Sequence, residues 1–395
     1  METTLVLNQH AQNNTKQILA NPRSHAAWFP GLNGLRFLAA AMVVIMHIHN
    51  NMGISGLPQL PAWPILFKGL TAVSFFFVLS GFLITYLLLR EQQLNNTISI
   101  KSFYLRRIFR IWPLYFIIVA TGIFFYWKLV PALHMQFENT YPHGLAIALY
   151  FFFLANLMNS LYHVGGMLHI TWSIAVEEQF YLFWAPLVKK FSTKIPLLIG
   201  IVTSASLALH ALNTLNVFHC SKEMHAFIGT LQFHYMGFGA GFAWLLFNRK
   251  KWLLRLPFFA NRFVQTICLL SLIGYLFFYV KTVTGDLISP LPLALLFGWL
   301  IINVSSNDNS IIALENKPLN YLGKISYGIY MYHMPVVYAT SFLFKKYIFL
   351  TTMPFYFPMF FLTVFLLTIT IASLSYFYIE QPILKRSNKP IKQTA

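Results

Sequence analysis

The sequence predicts an all-α polytopic membrane protein of about ten transmembrane helices, with both termini on the cytoplasmic side. Three observations lead there. Of 395 residues, 57% are hydrophobic and 10% charged, and the mean hydropathy is +0.61, whereas ordinary globular chains carry about 25% charged residues. The apolar residues fall into runs of about 20, the length a helix needs to cross a hydrocarbon core of about 30 Å. The basic residues sit in short clusters between those runs, as in the cytoplasmic loops of membrane proteins. This distribution also removes nucleic acid as the reason for the net charge of +18.

Apolar runs begin near Leu35, Leu70, Ile111, Ala146, Trp172, Ile195, Phe227, Phe263, Ile288, Ile325 and Tyr356. If all of them crossed, the two termini would lie on opposite sides. Charge arbitrates. With the amino terminus inside and residues 146–160 left uncrossed, 22 of the 28 lysines and arginines are cytoplasmic and 6 are outside. If that segment crosses, the division becomes 12 inside and 16 outside. The positive-inside rule selects the first arrangement. Residues 146–160 are therefore expected to be re-entrant or interfacial, which is tolerated where backbone is buried or lines a cavity; a true eleventh span is the alternative.

The expected organisation is a cytoplasmic segment over 1–30, one membrane domain over 31–383 and a basic cytoplasmic tail over 384–395. The first 30 residues lack the basic-then-apolar order of a cleaved signal, so the first span is expected to serve as its own targeting signal. Cys220 and Cys268 are too few for a disulfide framework or a metal cluster, and no metal is expected.

Ionisable groups on the spans carry the functional argument, because a charge in lipid is costly. Arg36 and His47 in GLRFLAAAMVVIMHIH are eleven residues apart. That is three turns plus about 20°, so they share one helical face about 16 Å apart. His47 reads either as a packed, hydrogen-bonded histidine or as a chemical group. In FYLRRIFRIWPLY, Arg106, Arg107 and Arg110 form a basic cluster just before a span. It reads as a topology or headgroup signal, or as an anion clamp of guanidinium forks. In WSIAVEEQFYLFW, Ser173, Glu177 and Tyr181 line one face and Glu178 another; a buried glutamate satisfied by a neighbour is the plainer reading. SYGIYMYHMP places Ser326, Tyr330 and His333 on one stripe, with an aromatic belt as the alternative. Glu380, in FYIEQP, is expected to be a surface pairing residue at the cytoplasmic boundary.

Taken in order, these runs together with FFFVLSGFLITYLLL resemble acyltransferase family 3 over about residues 31–383. These are integral membrane O-acyltransferases typified by bacterial O-antigen and exopolysaccharide O-acetylases. The resemblance implies transfer of an acyl group, usually acetyl from acetyl-CoA, to a hydroxyl of an extracytoplasmic or lipid-linked glycan. Acyl-CoA would be a co-substrate, with no permanently bound cofactor, and the location would be the cell (inner) membrane. The family's arginine–ten residues–histidine motif falls on Arg36 and His47, making His47 the candidate catalytic residue, and its arginine-rich loop falls on Arg106, Arg107 and Arg110. Many members append an extracellular SGNH-type esterase domain. This sequence shows none, so that domain's work is expected to be dispensable here or supplied by a partner.

Such chemistry needs an activated hydroxyl, a held donor and a stabilised oxyanion. His47 suits a general base, an acyl-histidine being the variant, with Glu177 or Glu178 to orient it. Arg36, Arg106, Arg107 and Arg110 suit the donor's phosphates. Ser173, Tyr181, Tyr330 and His333 are candidates for the oxyanion or the acceptor. O-antigen, capsule, exopolysaccharide and lipid-linked sugar all remain open as acceptors. The competing class is a transporter or flippase of an acylated or lipid-linked glycan, for which repeat symmetry would be the sign.

Overall fold

The computed structural model of the protein describes residues 29–61, 63–132, 141–278 and 287–387, which are helical without any β-strand. Of the expected 1–30 segment only residues 29 and 30, and of the 384–395 tail only residues 384–387, lie among those residues.

Helix α1 (Leu32–Ile54) leads through a 3-10 turn (Pro64–Phe67) to α2 (Gly69–Asn95). Helix α3 (Ile100–Phe124) starts where the Ser99 hydroxyl accepts the Ser102 N–H at 3.3 Å, the usual N-cap bond, and runs on through a π-helical turn (Phe125–Leu129). Three short helices follow: α4 (His143–Phe151), α5 (Ala155–Leu161) and α6 (Gly166–His169). Then come α7 (Trp172–Lys190), α8 (Ile195–Thr214), α9 (Lys222–Thr230), α10 (Phe233–Leu253), α11 (Pro257–Ala260) and α12 (Arg262–Phe278). The last third holds α13 (Pro290–Ser306), α14 (Lys317–Lys324), α15 (Ser326–Lys346), α16 (Tyr356–Ser375), a π-helical turn (Tyr376–Glu380) and α17 (Gln381–Ser387).

Among the described residues, five segments are long and apolar enough to cross a membrane: Leu32–Ile54, Gly69–Asn95, Ile100–Ala132, Ile195–Thr214 and Tyr356–Lys385. The chain is an integral multi-pass membrane protein. Helices α7, α10 and α15 have 19, 21 and 21 residues, but their polar and charged side chains lower their hydropathy. Helices α12 and α13 have 17 residues each.

Residues 146–160 do not form one helix. Helix α4 has 9 residues and rises about 13 Å, less than half the thickness of a hydrocarbon core of about 30 Å. It closes in a Schellman turn: Leu154 N–H reaches Leu149 O at 2.7 Å and Phe153 N–H reaches Tyr150 O at 3.2 Å. Phe153 takes the left-handed position (φ 56°) usually given to glycine. That costs about 1–2 kcal/mol, offset by its ring stacking on Tyr115 of α3 at 4.4 Å.

Helix α2 is the central element. Of its apolar window 72% is buried, against 22% for α8 and for the α16 segment. It crosses α10 at two glycines. A Cβ on Gly81 would strike the Met236 carbonyl, and one on Gly239 would strike the Val78 carbonyl; small residues let membrane helices approach this closely. Helix α15 packs against α1 and α16 through a second apolar cluster that includes Val44, Ile48, Ile329, Val337 and Phe360. Glu380 departs from expectation. It is 9% exposed and accepts from the Ser375 hydroxyl at 3.3 Å, because the π-helical turn carries it back beside Gly328 of α15.

Candidate active site

Helices α1, α2, α3, α7 and α15 enclose a cavity with about 930 Å³ of empty volume, part of it continuous with the exterior. Arg36 from α1, Arg107 and Arg110 from α3 and Lys324 from the end of α14 converge on it, and Glu177 is the one carboxylate in its lining. Four cations thus face a single carboxylate. The Glu177 side chain is already engaged: Oε1 accepts from the Ser80 hydroxyl at 2.7 Å and Oε2 from the Tyr181 hydroxyl at 2.9 Å. Arg107 lies over the rings of Phe103 and Tyr181, each at 5.8 Å. Its Nε is buried without a hydrogen-bond partner. An unpaired buried donor costs about 1–3 kcal/mol, more when charged, so this group holds unused capacity for an anion.

The rest of the lining is largely apolar, with Phe76, Phe77, Leu83, Ile84 and Ile174. Ser173 and Tyr330 also line the cavity, and their hydroxyls meet at 2.8 Å. The Tyr330 hydroxyl donates to the Ile170 carbonyl at 2.9 Å, so the Ser173 hydroxyl must donate to the Tyr330 oxygen. One turn further along α15 stands His333, wholly buried. Its Nδ1 lies 2.5 Å from the Tyr330 carbonyl and its Nε2 lies 3.1 Å from His47 Nδ1. The two imidazole centroids are 4.9 Å apart. His47 is half-buried, and its Nδ1 is also 3.0 Å from the Val43 carbonyl one turn back on α1. Its Nε2 has no hydrogen bond to any described residue.

The structure therefore gathers Arg36, Arg107, Arg110, Ser173, Glu177, Tyr181 and Tyr330 around one cavity, and pairs His47 with His333 beyond it. It does not bring Arg106 there. Arg106 is exposed and bridges to Glu91 at 2.8 Å, while Glu91 also accepts the Ser99 N–H at 2.8 Å, so this pair fastens the α2–α3 connection. Glu178 points elsewhere, taking a bond from Trp112 Nε1 at 3.1 Å. Neither glutamate bonds His47; the neighbour in that place is His333. Among the polar and charged lining residues, Ser80, Lys324 and Tyr327 escape a reading of the sequence. Ser80 is one hydroxyl inside an apolar run, and Lys324 reads as an ordinary end-of-helix lysine. The signal for Lys324 is its place directly ahead of the Ser326, Tyr330 and His333 stripe.

The description Acyltransferase domain belongs to a family model that matches residues 29–375. The chain is 26% identical over 380 residues to O-acetyltransferase OatA of Staphylococcus aureus (strain NCTC 8325 / PS 47), covering 92% of this chain and 58% of that protein. It is 27% identical over 340 residues to peptidoglycan O-acetyltransferase OatA of Listeria monocytogenes serovar 1/2a, covering 80% of this chain and 50% of that protein. The chain thus spans little more than half the length of these relatives. No solved structure matches it.

Proposed function

The chain belongs to the acyltransferase-domain family, and from that premise we propose that it is a membrane O-acetyltransferase carrying an acetyl group from acyl-CoA to a hydroxyl of a cell-envelope glycan. The relatives' names support the acetyl group, and one of them adds peptidoglycan to O-antigen, capsule, exopolysaccharide and lipid-linked sugar as acceptor classes. The observation that carries the reading is one cavity lined by four cations and apolar side chains, with a hydrogen-bonded histidine pair a helical turn beyond its Tyr330.

Each part has a task. The phosphates of CoA cannot enter lipid, and Arg36, Arg107, Arg110 and Lys324 supply the charge to hold them. The long, nearly neutral pantetheine arm suits the apolar walls. On this reading the Ser173–Tyr330 contact parts to let the thioester meet His47. His47 Nε2 then takes the proton of the acceptor hydroxyl as that oxygen forms a bond to the thioester carbonyl carbon. The tetrahedral oxyanion collapses, the carbon–sulfur bond breaks, and the departing thiolate takes the proton from His47. The products are the ester and the free thiol, and His47 is neutral again. Ser173 and Tyr330, once parted, are hydroxyls available to donate to the oxyanion.

Ten crossings with both termini cytoplasmic place the arginines at the inner face of the cell membrane and His47 towards the outer. Ten described helices of at least 17 residues, α1, α2, α3, α7, α8, α10, α12, α13, α15 and α16, support that count.

The test is thiol release from acetyl-CoA by the full chain in nanodiscs, with a glycan fragment as acceptor. His47→Ala is expected to lower kcat by about 100-fold or more with insertion and thermal stability unchanged. Wild-type turnover by that variant would sink the assignment.

A further inference from the structure

We propose that His333 is a positioning residue which keeps the proton of the His47 imidazole on Nδ1, leaving the Nε2 lone pair as the one basic position offered to substrate. The proposal rests on the reading of His47 as the base and adds which atom acts and what aims it.

The argument is one of satisfiable hydrogen bonds. A neutral imidazole has one N–H and one lone pair, whereas a carbonyl oxygen can only accept. His333 Nδ1 faces the Tyr330 carbonyl at 2.5 Å. The His333 hydrogen must therefore sit on Nδ1, since otherwise two lone pairs would be held in contact inside a fully buried site. Its Nε2 is then an acceptor, and His47 Nδ1, 3.1 Å away, has to bring the hydrogen. The third contact agrees, because the same Nδ1 lies 3.0 Å from the Val43 carbonyl, again only an acceptor. One assignment fits all three contacts: Nδ1–H on both rings, with the single His47 hydrogen shared in a three-centre bond between His333 Nε2 and the Val43 carbonyl. The lone pair of His333 is consumed by His47, while that of His47 is left on Nε2, which no described residue occupies.

The same bond serves the charged state. When Nε2 takes a proton, the Nδ1–H still points at the His333 lone pair, and the positive charge is shared along a charge-assisted hydrogen bond. Val43 can hold the tautomer in part, but its carbonyl sits at the helical i−4 position and is shared with the backbone. Loss of His333 is therefore expected to weaken turnover and leave donor binding alone.

Two substitutions in the full chain in nanodiscs separate this role from mere packing. His333→Phe fills the volume without an acceptor. His333→Gln places an amide oxygen where Nε2 stood. His333→Phe is expected to lower kcat by about 10–100-fold with the acetyl-CoA KM within about twofold, and His333→Gln to recover to within about fivefold of wild type. Solid-state 15N NMR of histidine-labelled protein, with His47→Ala to identify the signals, should show a protonated Nδ1 and a bare Nε2 at His47 in the wild type and the glutamine variant. A protonated Nε2 in the wild type, an unchanged kcat in His333→Phe, or equal losses in both variants with the tautomer unaltered would each overturn the proposal. An active His47→Ala protein overturns the base assignment and with it the role of His333, whatever tautomer the NMR reports.

Discussion

Arg107 keeps a buried Nε without a partner at the cavity, whereas Arg106, its neighbour in the chain, is exposed and held by Glu91. Their energetics should differ accordingly. An exposed ion pair contributes about 0–1 kcal/mol, while a guanidinium with open donors beside a phosphate forms charge-assisted bonds of greater strength. Arg107→Ala and Lys324→Ala are each expected to raise the acetyl-CoA KM about tenfold, equivalent to about 1.4 kcal/mol, with little change in the acceptor KM. Arg106→Ala should stay within about twofold. Steady-state kinetics with varied donor checks this, and equal effects at Arg106 and Arg107 would count against the division. The sequence signals a basic cluster here but not this split. On a helix Arg110 neighbours both Arg106 at i−4 and Arg107 at i−3, so spacing cannot choose which of the two faces the protein. His47 and His333 were harder still, being 286 residues apart. Each was visible as a histidine on a polar stripe, yet no local pattern reveals that one ring holds the other. Arg36 and His47 were legible because both lie on one helix face.

At the level of the element, the α2–α10 crossing depends on backbone meeting backbone at Gly81 and Gly239. Because α2 also carries Ser80, Phe76 and Phe77 into the cavity, a shift of this helix reaches the site. Gly81→Ala is expected to destabilise the protein by about 1–3 kcal/mol, the usual cost of forcing extra volume into a packed interface. Gly274→Ala, where a Cβ meets nothing within 4 Å, should be neutral or slightly stabilising. Thermal unfolding in detergent compares the two, and equal melting temperatures would show that the crossing can relax. The 146–160 segment is instructive about legibility. Basic residues in the later loops singled it out, although it carries no lysine or arginine itself. Its break at Phe153 had no such marker, for neither glycine nor proline stands there; the turn is supported by Tyr115 from another helix.

On the scale of the whole molecule, composition alone places the chain in a membrane, yet five described segments pass a test of length and hydropathy. Helices α7 and α15 fall short because of their polar residues: α7 carries Glu177 at the cavity, Glu178 on Trp112 and two lysines in its last turn, and α15 carries the stripe through Tyr330 and His333. The proposed orientation is checked with single cysteines in a Cys220→Ser, Cys268→Ser background. Lys345→Cys should react with an impermeant maleimide on intact cells and Lys250→Cys only after permeabilisation; the reverse pattern would invert the topology. The hydrogen bonds joining Ser173, Tyr330 and Ile170 also bear on the bilayer as an electrical insulator. A shaft wide enough for a pantetheine arm, if it met a passage from the far side, would short-circuit an energised membrane. Cells carrying Tyr330→Ala are expected to hold a lower membrane voltage, read with a potential-sensitive dye, and an unaltered voltage would assign the seal to other groups. On the proposed route the protein would work as an airlock: the hydroxyl pair would keep it shut at rest, and during turnover the donor's own arm would plug the opening it creates.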